Sequence, residues 1–113
     1  MTHIVEEYLK WQPKYAAYKD WSDKRKKQEQ AVKEMSCEAL EVLALFVKAN
    51  RKGKAINRDD IVDELGDTLW GLVGVMDQFD ISWEELCNYN MEKLTWRVEG
   101  KSVNRPIDFV NRE

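Results

Sequence analysis

Histidine, cysteine, proline and glycine are all scarce in this chain of 113 residues. The single histidine, His3, lies close to the first residue, which excludes most catalytic schemes built on imidazole. Cys37 and Cys87 are far apart and form no CxxC pair, so neither a disulfide scaffold nor a zinc knuckle is predicted. With two prolines, five glycines and no segment of alternating apolar and polar residues, the chain is predicted to be all-α.

Long apolar runs and a surplus of basic residues are missing as well. No run approaches the roughly 18 apolar residues of a membrane span, and the first residues lack the basic and apolar regions of a signal peptide. Lysine and arginine number 18 against 21 acidic residues, so the net charge is −3 and the basic excess typical of nucleic-acid binding is absent. We therefore expect a cytoplasmic protein with no membrane partner and no nucleic-acid partner.

The length predicts one helical domain over residues 1–113, folded as a bundle of four to five helices. Capping and helix-breaking residues mark where the helices begin and end. A short first helix is predicted to end near Gln12, because Pro13 follows it. Ser22 and Gly53 mark the two ends of a long second helix. Asn57 precedes the third helix, and Ser82 precedes a fourth that reaches about Val98. Residues 99–113 are expected to form an irregular tail.

Two glutamates interrupt the most apolar part of the chain. Residues 37–47 include nine apolar side chains and only two polar ones, Glu38 and Glu41. A helix that is apolar on nearly every side is usually buried, and residues three apart in a helix share a face. The two carboxylates are therefore predicted to be neighbours, with Lys48 and Lys52 following along the same face.

The third helix repeats this acidic pair at the same spacing, with Glu64 and Asp67. On a helical wheel, Gly71 and Gly74 fall on the same face as the acids. Glycine inside a helix is about 1 kcal/mol less favourable than alanine. Two glycines on this face therefore indicate either a closely packed second helix or a ligand.

Convergence of the two acidic pairs would create strong repulsion. Two carboxylates about 5 Å apart repel by roughly 3 kcal/mol at an effective dielectric constant of about 20. Protonation, separation into solvent or a divalent cation relieves that repulsion, and all-oxygen ligands select Mg²⁺, with Mn²⁺ as a substitute. The alternatives at this point are a magnesium site and four ordinary solvated acids.

The fourth helix carries an amide and two cations along one edge, Asn90, Lys93 and Arg97. Such an edge is either a solvated face or, beside a magnesium site, a place for a polyphosphate.

These motifs together resemble the MazG-like all-α nucleoside triphosphate pyrophosphohydrolases, over about residues 34–98. The resemblance rests on the ordered segments Glu38-Ala-Leu-Glu41, Glu64-Leu-Gly-Asp67 with the following Thr68-Leu69-Trp70, Ile81-Ser-Trp-Glu-Glu85, and Asn90-Met-Glu-Lys93 with Arg97. Four residues depart from the family pattern: Cys37, where a glutamate is common, Leu40 in place of a glycine, Gly71, where an aromatic residue is frequent, and Val98 in place of a common tyrosine.

The resemblance implies cleavage of a (d)NTP between its α- and β-phosphates, which yields the monophosphate and pyrophosphate. It implies that Mg²⁺ is held by Glu38, Glu41, Glu64 and Asp67, and that the triphosphate is held by Asn90, Lys93 and Arg97. Glu38 or Glu41 is the candidate for steering or deprotonating the attacking water. Lys48 and Lys52 are further candidates for contact with pyrophosphate, and Trp21 for stacking on the base. The resemblance also implies a homo-oligomer, either a dimer or a tetramer.

Two other functions stay open. One is a related enzyme that hydrolyses dUTP or phosphoribosyl-ATP with the same acids. The other is a non-catalytic helical interaction module, in which Glu38 and Glu41 pair with basic residues across an interface. Stabilisation by Mg²⁺ would separate an enzyme from such a module, because ligand binding to the folded state raises its stability.

Overall fold

The computed structural model of the chain describes residues 2–100, and all regular secondary structure in that range is helical. Four helices follow one another: α1 (Thr2–Tyr15), α2 (Lys24–Lys52), α3 (Arg58–Gln78) and α4 (Trp83–Val98). The predicted all-α class is confirmed for these residues. The tail expected at residues 99–113 lies, from residue 101 onward, outside the described residues. Within residues 2–100, no helix is both long and apolar enough to cross a lipid bilayer.

The ends of α2 are fixed by one side chain and one glycine. The Asp23 carboxylate accepts a hydrogen bond from the Lys26 N–H, so Asp23 is the N-cap and the prediction of Ser22 is off by one residue. Gly53 has a φ of 63°, a left-handed conformation that glycine adopts without steric penalty. The predicted end of the helix at this glycine is confirmed.

The starts of α3 and α4 follow the same capping chemistry, and both predictions are confirmed. The Asn57 side chain accepts from the Asp59 N–H at 2.8 Å, and the Ser82 hydroxyl accepts from the Glu85 N–H at 3.0 Å. Each bond satisfies an N–H group that the first helical turn cannot pair internally.

The predicted end of α1 near Gln12 is wrong, because the helix continues to Tyr15 with Pro13 inside it. Proline removes one backbone donor and disfavours a helix interior. Here less than one turn follows Pro13, and contacts with α3 hold this end of α1. The Gln12 Nε2 donates to the Trp70 carbonyl at 3.1 Å.

The described residues divide into two compact units, 2–80 and 81–100. In the first unit, α2 and α3 pack along each other as a helical hairpin, and α1 packs on α3. Ala16, Tyr18 and Ala31 form the small buried core, with Val75 packed against it. The second unit contains α4.

The apolar segment of α2 is exposed in the single chain, contrary to the predicted burial. Leu40 is 64% exposed and Leu43 60% exposed, and Val47 is also exposed. The reason is that, among the described helices, only α3 packs extensively on α2, so one side of α2 has no neighbour. We call Leu40, Leu43 and Val47 the apolar face.

The two glycines of α3 serve close helix packing, which decides between the two alternatives left open by the sequence. A side chain at Gly71 would collide with the backbone of Met35 on α2. A side chain at Gly74 would collide with the Tyr18 hydroxyl and the Gln12 amide. These surfaces are therefore filled by protein and offer no space for a ligand.

Candidate functional site

Three carboxylates from two helices meet beside the α2–α3 contact. Glu38 of α2 and Glu64 and Asp67 of α3 each offer an oxygen within 4.8 Å of the other two. The spacing of three places Glu64 and Asp67 on one face of α3, and the hairpin brings Glu38 opposite them. Glu38 and Glu64 are half-buried and Asp67 is exposed. We call these three residues the acidic cluster.

Repulsion and partial burial both act on the acidic cluster. Partial burial raises the pKa of Glu38 above its ordinary value, and the charges of Asp67 and Glu41 raise it further. Partial burial also raises the pKa of Glu64, followed by the charges of Asp63 and Asp67. Within the described part of the chain, no lysine or arginine forms an ion pair with the acidic cluster. Among the described residues, no basic partner therefore compensates its negative charge.

We expect Glu64→Gln to stabilise the metal-free protein, because it removes one of these repelling charges. The pKa values of Glu38 and Glu64 lie above 4.5 in the folded chain, so the folded state keeps protons that the unfolded state has lost. The stabilisation that comes from these retained protons is fully present below pH 4.5 and is lost as the pH rises through the raised pKa values of the two glutamates. Thermal unfolding in EDTA at about pH 7 should therefore show the variant melting a few degrees higher.

The difference in melting temperature should shrink towards lower pH, where both proteins are uncharged at this position. Glu92→Gln, an exposed glutamate on α4, is the control for a general effect of net charge. A Glu64→Gln variant that melts below the wild-type protein in EDTA would contradict the repulsive cluster.

Glu41 lies close to the acidic cluster but is not one of its three members. It is exposed on α2, and its charge contributes to the raised pKa of both Glu38 and Glu64. The structure thus brings three of the four predicted ligands together and places the fourth nearby. Asp63, whose charge acts on the same two glutamates, was not among the predicted residues, and no spacing signal distinguishes it from an ordinary solvated acid.

Four aromatic rings form a second feature next to these acids. Tyr8, Trp11 and Tyr15 follow one another along α1, with ring centroids 5.5 Å apart at each step. Trp11 also meets Trp70 of α3 edge-on, at 5.4 Å. We call these four residues the aromatic cluster. Trp11 is 45% exposed and Tyr15 is exposed, so the cluster is open to solvent.

The aromatic cluster borders the acidic cluster. Trp70 follows Asp67 by three residues on α3, which places the two side chains on the same face one turn apart. Partial burial raises the pKa of the Tyr8 hydroxyl, and the charge of Asp67 raises it further, as expected for neighbours. The helical spacing of Tyr8, Trp11 and Tyr15 was the available sequence signal for this cluster, but only the tertiary contact with Trp70 identifies it.

Trp21, the predicted base-stacking residue, lies elsewhere. It packs edge-on against Tyr18, with ring centroids 6.2 Å apart, and is 45% exposed. The structure does not bring it into the aromatic cluster.

The predicted phosphate-binding residues fall into two groups. Lys48 and Lys52 line a cavity at the connection between α2 and α3. Asn90, Lys93 and Arg97 lie on α4 in the second unit, where Lys93 is half-buried and the other two are exposed.

No family model, no curated protein and no solved structure matches the chain.

Proposed function

We propose that the protein is a Mg²⁺-dependent nucleoside triphosphate pyrophosphohydrolase that converts a (d)NTP to the monophosphate and pyrophosphate. The observation that carries the proposal is the acidic cluster, which gathers three carboxylates from two helices and has no basic partner within residues 2–100. The neighbouring aromatic cluster supports a nucleotide as the substrate, because exposed aromatic rings stack on bases.

The residues of the acidic cluster fit a hard divalent cation. All of the donors are carboxylate oxygens, the ligands that Mg²⁺ and Mn²⁺ prefer. Oxygens bound to one Mg²⁺ at about 2.1 Å lie at most about 4.2 Å apart. The three carboxylates lie within 4.8 Å of one another, so their oxygens would have to move closer together to bind one ion. Glu41 is the candidate fourth ligand because its charge acts on both glutamates of the cluster.

In the proposed mechanism, Mg²⁺ when bound supplies charge neutralisation of the phosphate oxygens. Glu38 or Glu41 orients a water molecule and accepts its proton as the water oxygen attacks phosphorus. The α–β phosphoanhydride bond breaks, and pyrophosphate leaves with the electron pair of that bond. The aromatic cluster holds the base and thereby fixes the position of the triphosphate. By the resemblance, Asn90, Lys93 and Arg97 bind phosphate oxygens.

Product analysis tests the proposed reaction. The full chain is incubated with Mg²⁺ and each common NTP and dNTP, with dUTP and phosphoribosyl-ATP in parallel, and the products are resolved by ³¹P NMR. Monophosphate with pyrophosphate is expected, and the preferred compound separates the general enzyme from its two relatives. Diphosphate with inorganic phosphate would contradict the proposal. No turnover, together with a melting temperature that does not change when Mg²⁺ is added, would favour the interaction module.

We further propose that the apolar face packs against a second copy of the chain, giving a dimer or a tetramer. Among the described residues, only five apolar side chains are buried: Ala16, Tyr18, Ala31, Val73 and Met76. The larger side chains of the apolar face stay in water in the single chain. Burying them between copies would supply the hydrophobic stabilisation that the small core lacks.

Leu43→Glu is expected to weaken this assembly, because it places a charge in the middle of the apolar face. We expect the dissociation constant to rise about tenfold, since burying an unpaired charge opposes association. Sedimentation velocity over a range of concentrations measures the change. Ile4→Glu on α1 is the matched control, because Ile4 is 63% exposed and Leu43 60%. An equal change in the dissociation constant for Leu43→Glu and Ile4→Glu, or a monomeric wild-type protein, would rule out this interface.

A further inference from the structure

A cavity of about 340 Å³ lies where α2 ends and α3 begins. Three lysines line it, Lys48 and Lys52 from α2 and Lys54 from the connection, and we call it the lysine cavity. The rest of the lining is mostly apolar, with one acidic residue, Asp60. The other lining residues are Leu45, Ala49, Ala55, Ile56 and Asn57.

The described lining of the lysine cavity keeps a net positive charge, with three lysines against the single Asp60. Within residues 2–100, none of the three ammonium groups forms an ion pair or a hydrogen bond. Other basic side chains do find partners, since Lys27 donates to the Lys19 carbonyl and Arg25 pairs with Glu29. Lysines four residues apart, such as Lys48 and Lys52, repel each other along a helix. An anion in the cavity would remove this repulsion, and the apolar lining would strengthen its attraction to the lysines.

The lysine cavity is separate from the acidic cluster. Along α2, Lys48 follows Glu38 by ten residues and Lys52 follows it by fourteen, distances of about 15 Å and 21 Å along a helix axis. On α3, Asp60 of the cavity lining precedes Glu64 of the acidic cluster by four residues, about 6 Å along the helix axis, so the two sites are adjacent but share no side chain.

We propose that the lysine cavity is a second anion site, which binds a small phosphate compound without a divalent metal. The phosphate group comes either from free phosphate or pyrophosphate or from a nucleotide. This inference does not depend on the proposed hydrolysis, because it requires neither turnover nor Mg²⁺.

Calorimetric titration of the full chain in EDTA tests the second site, with inorganic phosphate, pyrophosphate and an NTP as separate probes. Saturable binding of pyrophosphate is expected, and the double variant Lys48→Gln/Lys52→Gln should weaken it about tenfold or more, since each lost charged hydrogen bond reduces affinity. Equal affinity for pyrophosphate and the NTP would identify a free phosphate compound as the ligand. Tighter binding of the NTP would identify a nucleotide.

Two controls separate this site from general charge attraction and from the acidic cluster. Lys24→Gln/Lys26→Gln makes the same charge change on exposed residues of the same helix and should leave the affinity unchanged. Asp67→Asn should also leave it unchanged. Equal weakening by both lysine double variants, a requirement for Mg²⁺, or no saturable binding would overturn the proposal.

Discussion

Asp67→Asn is expected to lower kcat more than about 100-fold and to weaken Mg²⁺ binding. Changing a residue that only contacts a metal ligand already lowers metal affinity or activity by about 10- to 100-fold, and loss of a ligand itself should cost more. Asp67 offers one of the three converging oxygens of the acidic cluster, and asparagine keeps its size while removing its charge. Turnover measured over a range of Mg²⁺ concentrations separates the two effects. A higher Mg²⁺ requirement identifies Asp67 as a metal ligand.

Asp77→Asn is the matched control, since it makes the same substitution at an exposed position on the same helix. Glu41→Gln provides a contrast, because Glu41 lies outside the three-carboxylate group. If Glu41 only accepts the proton of water, its loss should lower kcat by about 10²- to 10⁴-fold with little change in Mg²⁺ affinity. If Glu41 is the fourth ligand, its loss should raise the Mg²⁺ requirement as well. Wild-type turnover and metal affinity in Asp67→Asn would refute its assignment as a ligand.

Trp11→Ala is expected to raise KM for the preferred nucleotide by about 5- to 100-fold, since each stacked base contributes roughly 1–3 kcal/mol. Trp11 is the central ring of the aromatic cluster, in contact with Tyr8, Tyr15 and Trp70. The change should fall mainly on KM, because the base is remote from the broken bond. The binding of the nucleoside alone, followed by the indole N–H signals of Trp11 and Trp70 in NMR spectra, provides a readout that is independent of catalysis.

Trp21→Ala decides between the sequence-predicted position and the aromatic cluster. The two tryptophans are equally exposed, but only Trp11 contacts Trp70. Phe79→Ala, which removes an exposed aromatic ring outside both positions, is the control for a general loss of apolar surface. A larger rise in KM for Trp21→Ala than for Trp11→Ala would place the base at Trp21 and contradict the role of the aromatic cluster.

The helices could be predicted because their ends depend on local chemistry. Asn57, Ser82 and Gly53 act within a few residues of themselves, so their capping roles can be read from sequence. The end of α1 could not be predicted from local sequence, because contacts with α3 hold the residues that follow Pro13 in the helix. The exposure of α2 could not be predicted: the apolar pattern around Leu40 and Leu43 indicates a buried helix, but both side chains are exposed in the single chain.

The site could be predicted in part for the same reason. The spacing of Glu64 and Asp67 fixes their shared face, and a hairpin between two helices is enough to bring Glu38 to them. The aromatic cluster depends on the packing of α1 against α3, which no local pattern specifies. At Gly71, the Met35 backbone leaves no space for a side chain, a tertiary contact that the sequence pattern alone does not specify.

The binding of a divalent cation by the acidic cluster is tested most directly by diffraction from crystals soaked in Mn²⁺, which gives an anomalous signal where Mg²⁺ does not. An anomalous peak is expected between the carboxylates of Glu38, Glu64 and Asp67, at about 2.2 Å from their oxygens. Carboxylates turned apart into solvent with no peak between them, at Mn²⁺ concentrations that support turnover, would contradict a metal site at this position.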